Sequence, residues 1–173
     1  LPIYSRICFN SIKADGSDII LSTAFEFLGS EETMVKNNIF ANYQNGTAIQ
    51  IAEIPQSKDW DFNSYYSLSN NFAWSGNIYF QNLDDWGQTI SGDANSLLVN
   101  PIFESDTNLI SHQPQINGAG IPVSGISSDI DNRSRNSLAP DVGAYEIIRD
   151  FGLSKMISPT LACIKTDSER VAV

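Results

Sequence analysis

Cysteine, histidine and basic residues are scarce in this chain. Its 173 residues include two cysteines, one histidine, and ten lysines and arginines against twenty acidic residues. Two cysteines cannot supply a disulfide framework, so we expect Cys8 and Cys163, which lie in apolar runs, to be free buried thiols. The same inventory offers neither a zinc cluster of cysteine and histidine nor a cysteine–histidine nucleophile pair.

The surplus of acidic residues limits the partners of the chain. A formal net charge of −10 repels nucleic acid and anionic lipid, so we expect no nucleic-acid partner. The same field would repel anionic polysaccharides unless a cation or a local basic patch intervened. No apolar run reaches the ~18 residues of a membrane-spanning helix, so we also expect no membrane insertion.

An asparagine-centred pattern recurs three times. Asn10, Asn38 and Asn63 each have an apolar residue three positions before and two positions after, and the asparagines are 28 and then 25 residues apart. Periods of about 20–50 residues are typical of stacked units. Asparagine tolerates a left-handed turn, and stacked asparagines can exchange amide hydrogen bonds. We therefore predict that these three residues lie one above another on successive coils of a solenoid.

The same alignment predicts which other side chains are stacked. Chemistry on an anionic sugar polymer would need a base and a cation, but no row of basic residues emerges from the alignment. We therefore expect a face for such chemistry to be absent here or to lie on coils upstream. The alignment places Lys36 between Cys8 and Asp61, and Lys13 in line with Ala41 and Tyr66.

Between and after the asparagines, the local patterns change. Residues 47–52 alternate as a short strand, and the apolar residues between Leu83 and Ile90 form a helical stripe with Asn82 as its N-cap. We expect this helix to pack its apolar side on the solenoid. From Gly92 onward the chain is rich in turns, and we expect that irregular region to cover the last coil and shield its strand edges.

Four blocks in the second half carry a family resemblance. They are DANSLLVNPIF (Asp93–Phe103), QPQINGAG (Gln113–Gly120), DIDNRSR (Asp129–Arg135) and PDVGAYE (Pro140–Glu146). In this order they resemble the closing segment of secreted bacterial right-handed parallel β-helix proteins, many of which are polysaccharide lyases. The resemblance implies an all-β fold, a right-handed parallel β-helix with an irregular C-terminal cap and one short helix.

The resemblance and the ends of the chain together suggest two parts. We predict that residues 1–148 are the C-terminal coils and cap of the β-helix, and that residues 149–173 are a linker and the start of a second β-rich module. The chain enters strand-like sequence at Leu1 and ends within another strand-like stretch at Val171–Val173, so we expect a piece of a longer protein. That protein would be secreted or on the cell surface, with adjacent domains of the same chain as partners.

The last two blocks are interpreted mainly as structural. The family pattern is D-I-D-G-x-x-R followed by P-D-I-G-A-Y-E, and Asn132 replaces the glycine, which a left-handed turn allows. We expect Arg135 to fork onto Asp129, Asp131 or Asp141, and Tyr145 to bury its ring with its hydroxyl satisfied. The residues expected to hold the structure are Asn10, Asn38, Asn63, Arg135, Asp141, Tyr145 and Glu146.

Asp129 and Asp131 also raise the question of calcium. An EF-hand-type loop starting at Asp129 would need an oxygen donor at its fifth position, glycine at its sixth and glutamate at its twelfth. Those positions hold Arg133, Ser134 and Pro140, so that loop is rejected. A looser calcium site on Asp129 and Asp131 remains open, and no other cofactor is expected.

Carboxylates and aromatic rings between residues 59 and 86 suggest a sugar site. Glycoside hydrolysis needs two carboxylates across a groove, and aromatic rings stack on the apolar faces of a neutral sugar. The alternative is that the rings belong to the core and the acids are merely solvated. The candidate substrate-binding residues are Asp59, Trp60, Asp61, Tyr66, Trp74, Asp84 and Asp85.

Two functions remain open from these observations. The first is a β-helix that binds or processes polysaccharide, without a complete active site within these residues; an enzymatic parent would be a polysaccharide lyase or a glycoside hydrolase. The second is a purely structural or adhesin module, a rigid acidic spacer.

Overall fold

The structure is a computed structural model that describes residues 4–16, 22–29, 32–54 and 57–147. Within these ranges the protein is mostly β, and none of its helices is long and apolar enough to span a membrane. Residues 149–173, expected to begin a second module, and Cys163 lie outside the described residues. In chain order the elements are β1 (Tyr4–Cys8), β2 (Ser11–Ala14), β3 (Thr23–Phe27), β4 (Glu32–Lys36), β5 (Ile39–Asn42), β6 (Thr47–Ile51), β7 (Ser57–Asp61), β8 (Ser64–Ser67), β9 (Ala73–Ser75), β10 (Ile78–Phe80), α1 (Leu83–Ile90) and β11 (Leu97–Leu98), followed by a 3₁₀ turn at Pro114–Ile116.

The strands form three sheets in which every third strand pairs in parallel. Sheet A has the order β1-β4-β7, sheet B the order β2-β5-β8-β11, and sheet C the order β3-β6-β9 with β10 added antiparallel. Parallel neighbours need a long connection, and here the two intervening strands provide it. We call each set of three consecutive strands a rung: rung 1 is β1–β3, rung 2 is β4–β6 and rung 3 is β7–β9. The expectation of an all-β fold with parallel sheets and one short helix is confirmed.

The pairing register agrees with the asparagine alignment. Every residue of β4 lies between one residue of β1 and one of β7, and the same holds for β5 between β2 and β8. The side-chain rows predicted from the repeat are therefore confirmed. They are Cys8–Lys36–Asp61 on sheet A and Lys13–Ala41–Tyr66 on sheet B.

The three asparagines stack at the corner between sheets A and B. The backbone N–H and Nδ2 of Asn10 donate to Oδ1 of Asn38 at 3.0 and 2.9 Å. The same two groups of Asn38 donate to Oδ1 of Asn63 at 3.1 and 3.0 Å. Asn38 and Asn63 are fully buried, so each amide replaces water as the partner of backbone groups at the corner. We call this stack the asparagine ladder.

The left-handed residue at each corner is the one before the asparagine. Phe9, Asn37 and Phe62 have φ values of 59°, 58° and 59°. The suggestion that the stacked asparagines themselves supply this conformation is wrong. The side-chain amide of each stacked asparagine bonds within the ladder. The residue before it adopts the left-handed conformation of the turn, even where that residue is a phenylalanine. At Asn132, by contrast, φ is 62°, as expected for the residue that replaces glycine.

The core lies between the three sheets. In β4 the burial alternates, so that Thr33 and Val35 point inward while Met34 and Lys36 point outward. Phe40 stacks between Phe25 of rung 1 and Tyr65 of rung 3, with ring centroids 4.7 and 6.0 Å apart. The buried residues of this core are Phe27, Val35, Phe40, Ala48, Ile49, Ile51, Trp60, Tyr65, Phe72, Ala73, Phe80, Trp86 and Ile90.

Helix α1 closes the core below rung 3. Asn82 caps the helix by accepting from the backbone N–H of Asp85 at 2.9 Å. Trp86 and Ile90 are fully buried, and the Trp86 ring packs edge-on against Phe72 and Phe80. The predicted cap and the predicted packing of the apolar side are both confirmed.

The irregular segment from Val99 to Ile147 covers a side of the sheets and not the end of the stack. It forms a second core on the outer face of sheet B, where Ile39, Ile116 and Val142 are buried together. It also reaches rungs 1 and 2, because Ala144 donates its backbone N–H to Oγ of Ser11 at 3.0 Å and Gly143 donates its own to the carbonyl of Asn37 at 2.7 Å. The expectation that the region from Gly92 onward covers the last coil is met in part. Residues 93–98 do so together with α1, since Asp93 and Leu97 donate to rung 3 backbone carbonyls, whereas most of the segment after them lies along the side of the sheets.

We predict that the asparagine ladder carries a large share of the stability. Asn38→Ala removes a buried amide with four hydrogen-bond contacts, including 2.8 Å from Nδ2 to the carbonyl of Ile7. Loss of several buried bonds should lower the free energy of unfolding by about 3 kcal/mol, measured by urea denaturation. Asn10→Ala is the matched control; because Asn10 is exposed, it should cost below about 1 kcal/mol. Equal effects of the two substitutions would contradict this account.

Candidate functional site

A groove runs between the outer face of sheet A and the segment Pro122–Ser124. Its cavity has a volume of about 350 Å³. Sheet A supplies its floor, because the outward residues of β1 and β4 alternate with core residues. We call it the sheet A groove; its lining residues are Arg6, Met34, Lys36, Pro122, Val123 and Ser124.

Two cations face this groove although the chain as a whole is acidic. The Arg6 guanidinium donates to the carbonyl of Ser124 at 2.7 Å and makes no ion pair within the ranges that the structure describes. The Lys36 ammonium pairs with Asp59 at 2.7 Å, and its side chain is only 15% exposed. The groove therefore offers one guanidinium with no carboxylate partner and one ammonium whose partner lies on the neighbouring strand.

Cys8 lies on the same outer face, in line with Lys36. Burial raises the pKa of its thiol, and the nearby charges of Arg6 and Lys36 oppose that rise. The thiol is free but only half-buried, so the expectation of a buried thiol is met in part. A raised pKa disfavours the nucleophilic thiolate, which argues against a catalytic cysteine.

The predicted sugar-binding residues do not lie on one flank. Asp59, Trp60 and Asp61 lie on β7 in sheet A, whereas Tyr66 lies on β8 in sheet B. The remaining candidates lie on a third sheet and on the helix. Residues 59–85 are close in sequence, but they run through all three sheets and into α1. This corrects the prediction of a single flank; Trp74 is on β9 in sheet C, and Asp84 and Asp85 are in the first turn of α1.

Trp60 belongs to the core and cannot stack on a ligand. It is 3% exposed, its Nε1 donates to Oγ1 of Thr33 at 3.0 Å, and its ring meets Phe27 edge-on at 5.0 Å. The alternation of β7 requires this, because Asp59 and Asp61 on either side point outward. For Trp60 the interpretation as a core ring is the correct one.

Two of the candidate acids are engaged in local structure. Asp61 accepts from the backbone N–H and Nδ2 of Asn95, both at 2.7 Å, and thereby fixes the turn below rung 3. Asp85 accepts from Nδ2 of Asn82 at 2.8 Å, which completes the reciprocal cap of α1. Asp84 is exposed beside it in the first helical turn, where a negative charge is favourable.

Tyr66 packs beside a second cavity, of about 390 Å³, on sheet B. Tyr43 lies between the Tyr66 ring, 5.1 Å away, and the Lys13 ammonium, 5.0 Å from its ring centre. Lys13 in turn pairs with Asp106 at 2.5 Å and Asp15 at 3.1 Å, and these bonds, with Asp106 first, raise its pKa. These contacts hold the segment of residues 100–106 against the sheet and leave the ring faces of Tyr43 occupied.

Trp74 is the candidate whose position suits a stacking role. It is half-buried on the outer face of sheet C and lies directly opposite Tyr79 in the antiparallel pair β9–β10. Tyr79 is 38% exposed. An aromatic pair on an outward face can bind the apolar face of a sugar ring, although the face is not concave.

Asp129 directs its carboxylate at backbone groups. Oδ1 accepts from the N–H of Asp131 and of Arg133 at 2.9 and 2.8 Å, and Oδ2 accepts from the N–H of Glu146 at 2.9 Å. Asp131 pairs with Arg133 at 3.6 Å. No group of three or more potential metal ligands occurs among the described residues. The arrangement is that of a carboxylate-stabilised turn.

Arg135 binds a partner that differs from the three predicted ones. Its Nη1 pairs with Glu146 at 3.5 Å, and its Nη2 donates to the carbonyls of Gly143 and Ala144 at 3.0 and 3.1 Å. Its guanidinium also covers the Phe9 ring at 3.9 Å. The fork onto Asp129, Asp131 or Asp141 is therefore wrong: the carboxylates of Asp129 and Asp141 accept backbone N–H groups instead.

Glu146 and Asp141 are structural residues, as expected, but Tyr145 differs. Glu146 is 7% exposed and accepts from the backbone N–H of Asn136 at 2.8 Å and of Asp141 at 3.1 Å. Tyr145 is only half-buried, and its hydroxyl has no hydrogen bond within the described part of the chain. The prediction of a buried Tyr145 ring is therefore met in part.

Asp93 is a buried carboxylate that the sequence reasoning missed. Its Oδ2 accepts from the Tyr65 hydroxyl and from Nε1 of Trp86 at 2.8 and 2.9 Å. Its Oδ1 accepts from Oγ of Ser96 and from Nδ2 of Asn63 at 2.5 and 3.2 Å. Asp93 thus ends the asparagine ladder. The pairing of Leu97 with Ser64 places Ser96, and not Asp93, next after Asn63 in the repeat, and Oγ of Ser96 accepts from the backbone N–H of Asn63 at 2.9 Å. The asparagine spacing therefore gave no signal for Asp93.

Arg6 was also missed as a candidate cation. Its register partner is Met34, so Lys36 is its neighbour two residues along the same face. The spacing of the asparagine repeat already places Arg6 and Lys36 as diagonal neighbours, but directly stacked basic residues do not occur at these positions.

Comparison of the chain with protein-family models, with curated proteins and with solved structures finds no match.

We predict that Asp93 makes the stability depend on pH. Burial raises the pKa of its carboxyl, against the effect of its four donors. A raised pKa in the folded state means that the protonated form is the stabilising one, so this contribution is present below the usual value of about 3.9 and is lost as pH rises through the folded pKa.

Asp93→Asn cannot ionise and isolates this effect. The wild type should be more stable than the variant by about 1–3 kcal/mol. The reason is that the variant places an amide N–H₂ group against existing donors. That advantage should shrink as pH rises from 4 to 7, measured by urea denaturation of both proteins at each pH. An advantage that grows with pH would refute the prediction.

Proposed function

We propose that the chain is a right-handed parallel β-helix, with the segment from Val99 to Ile147 as a lateral cap. The three parallel sheets, the one-strand-per-sheet order and the asparagine ladder support this proposal. The resemblance of the C-terminal blocks to secreted bacterial β-helix proteins supports the handedness and a place outside the cell or on its surface.

The function that the geometry supports best is binding of an acidic polysaccharide in the sheet A groove. The observation that carries it is the pair of cations, Arg6 and Lys36, that line one cavity of a chain with net charge −10. A local basic patch is what an acidic protein needs to approach an anionic polymer. Arg6 retains donors for a carboxylate, and the apolar surfaces of Met34 and Val123 suit the face of a sugar ring.

Binding, and not cleavage, is the activity proposed for these residues. A lyase step needs a base to accept the proton next to the uronate carboxylate. A guanidinium is a donor only and offers no lone pair to accept that proton, and the Lys36 ammonium is paired with Asp59. The proposal therefore keeps the expectation that a complete active site is not built from these residues.

A structural or adhesin module is the second candidate. It is favoured by the engagement of most predicted ligand residues in the fold: Trp60 in the core, Asp61 in a turn and Asp85 in a helix cap. Such a module would present the sheet A groove without binding sugar in it.

We predict that Arg6→Gln weakens binding of polygalacturonate about tenfold, since a charge-assisted hydrogen bond contributes about 1.5 kcal/mol. Lys36→Gln should have a smaller effect, because Asp59 already shares that charge. Isothermal titration calorimetry in low salt measures both. Binding should also weaken as salt is added.

Arg133→Gln is the matched control, because it removes an equal charge outside the groove at a residue paired with Asp131. It should leave the affinity unchanged. Equal loss in Arg133→Gln, or equally tight binding of a neutral glucan by the wild type, would reject the groove as the site. Absence of any binding by the wild type would favour the structural module.

A further inference from the structure

Among the described strands, those of rung 1 stand at one edge of all three sheets. Strands β1, β2 and β3 each stand at the end of their sheet and pair on one side only, with β4, β5 and β6, among the described strands. Rung 3 differs, because residues 93–98 and α1 cover its opposite face. Within the part of the chain that the structure describes, the stack is therefore closed at one end and presents unpaired strand edges at the other.

The core is also incomplete at rung 1. Ile7, Ile12 and Phe25 point into the stack but are only half-buried, although they pack on the main core. Their register partners in rung 2, Val35, Phe40 and Ile49, are 0% exposed. An apolar face of this kind, bounded by strand edges, favours burial under another layer of strands.

The asparagine ladder has a direction, and its acceptor end is open. Oδ1 of Asn38 and of Asn63 each accepts two bonds from the asparagine of the rung before. Oδ1 of Asn10 accepts none within the described part of the chain. Oδ1 of Asn10, on the surface of rung 1, therefore lacks the two donors that the same atom has in Asn38 and Asn63.

Nδ2 of Asn10 also differs from Nδ2 of the other two asparagines in its carbonyl partner. Nδ2 of Asn38 donates to the carbonyl of Ile7, and Nδ2 of Asn63 donates to that of Val35, each on the preceding rung at 2.8 Å. Nδ2 of Asn10 instead turns to the carbonyl of Cys8 in its own rung, at 3.2 Å. A preceding rung would supply the carbonyl that this position uses in the other two cases.

We propose that the free face of rung 1 is a docking surface for a further three-strand rung that carries an asparagine at its corner. The docked rung pairs in parallel with β1, β2 and β3 and covers Ile7, Ile12 and Phe25. Its asparagine donates its backbone N–H and its Nδ2 to Oδ1 of Asn10. Its carbonyl three positions earlier accepts from Nδ2 of Asn10.

The occupant that fits is a rung joined to the amino end of β1. The asparagine of each rung donates to the asparagine of the rung that follows it in the chain. A rung whose asparagine donates to Asn10 in the same way therefore precedes β1 in the chain. A second copy placed face to face would oppose one Oδ1 of Asn10 with another, two acceptors without a proton between them. This inference does not depend on the binding of polysaccharide.

The test extends the full chain by one rung. A copy of residues 32–56 replaces residues 1–3 and is joined directly to Tyr4. The copied β4 then precedes β1 by the same number of residues by which β4 precedes β7, so it should pair with β1 in the register of β4 and β7. The copied asparagine then lies 25 residues before Asn10, the spacing between Asn38 and Asn63. We expect the amides of β1, β2 and β3 to exchange hydrogen at least tenfold more slowly, and the urea midpoint to rise.

The matched control is the same extension with Asn38→Ala in the copy only. It keeps the strands and the apolar residues but lacks the ladder donor, so it should lose most of the added protection. Unchanged exchange in β1–β3 on extension, or equal protection by the alanine copy, would overturn the proposal. So would a dimer of the unextended chain, found by sedimentation, with β1–β3 already protected.

Discussion

The exchange of amide hydrogen bonds between stacked asparagines is the interaction on which the rest of this structure depends. Each rung must turn sharply between sheet A and sheet B, and the turn leaves backbone groups without strand partners. Asn38 and Asn63 satisfy those groups from inside the stack, while their side chains join one rung to the next. A shift of register by one residue would break the ladder and turn the core residues outward.

The ladder also determines what the outer surfaces can do. Because register is fixed, Arg6, Lys36 and Asp59 are brought to one face from three separate strands, and the sheet A groove is the result. The ladder ends on Asp93 at rung 3, where a carboxylate gathers four donors and faces no further rung. At its other end, Oδ1 of Asn10 accepts no hydrogen bond from the residues that the structure describes, so the two ends of the stack differ in chemistry.

Much of the fold was predictable because its signals are local or periodic. The asparagine spacing predicted the rows Cys8–Lys36–Asp61 and Lys13–Ala41–Tyr66, and the stripe from Leu83 to Ile90 predicted α1. The candidate site was predicted less well. Trp60 and Trp74 are both aromatic residues in short strands, yet one is core and the other faces outward, because each belongs to a different sheet and alternation must be counted within each strand separately.

By itself the sequence determined the β class, the asparagine stack, the helix with its Asn82 cap and the acidic character of the surface, since these follow from spacing, alternation and composition. Only the tertiary structure decided that the C-terminal segment returns along sheet B to rungs 1 and 2, and that Arg135 binds Glu146 over the Phe9 ring. It also decided that Pro122–Ser124 closes a groove over Arg6 and Lys36. The physical reason is that the contacts with rungs 1 and 2 join residues about a hundred positions apart, such as Arg6 and Ser124. They are made through an irregular segment whose path no periodic pattern encodes.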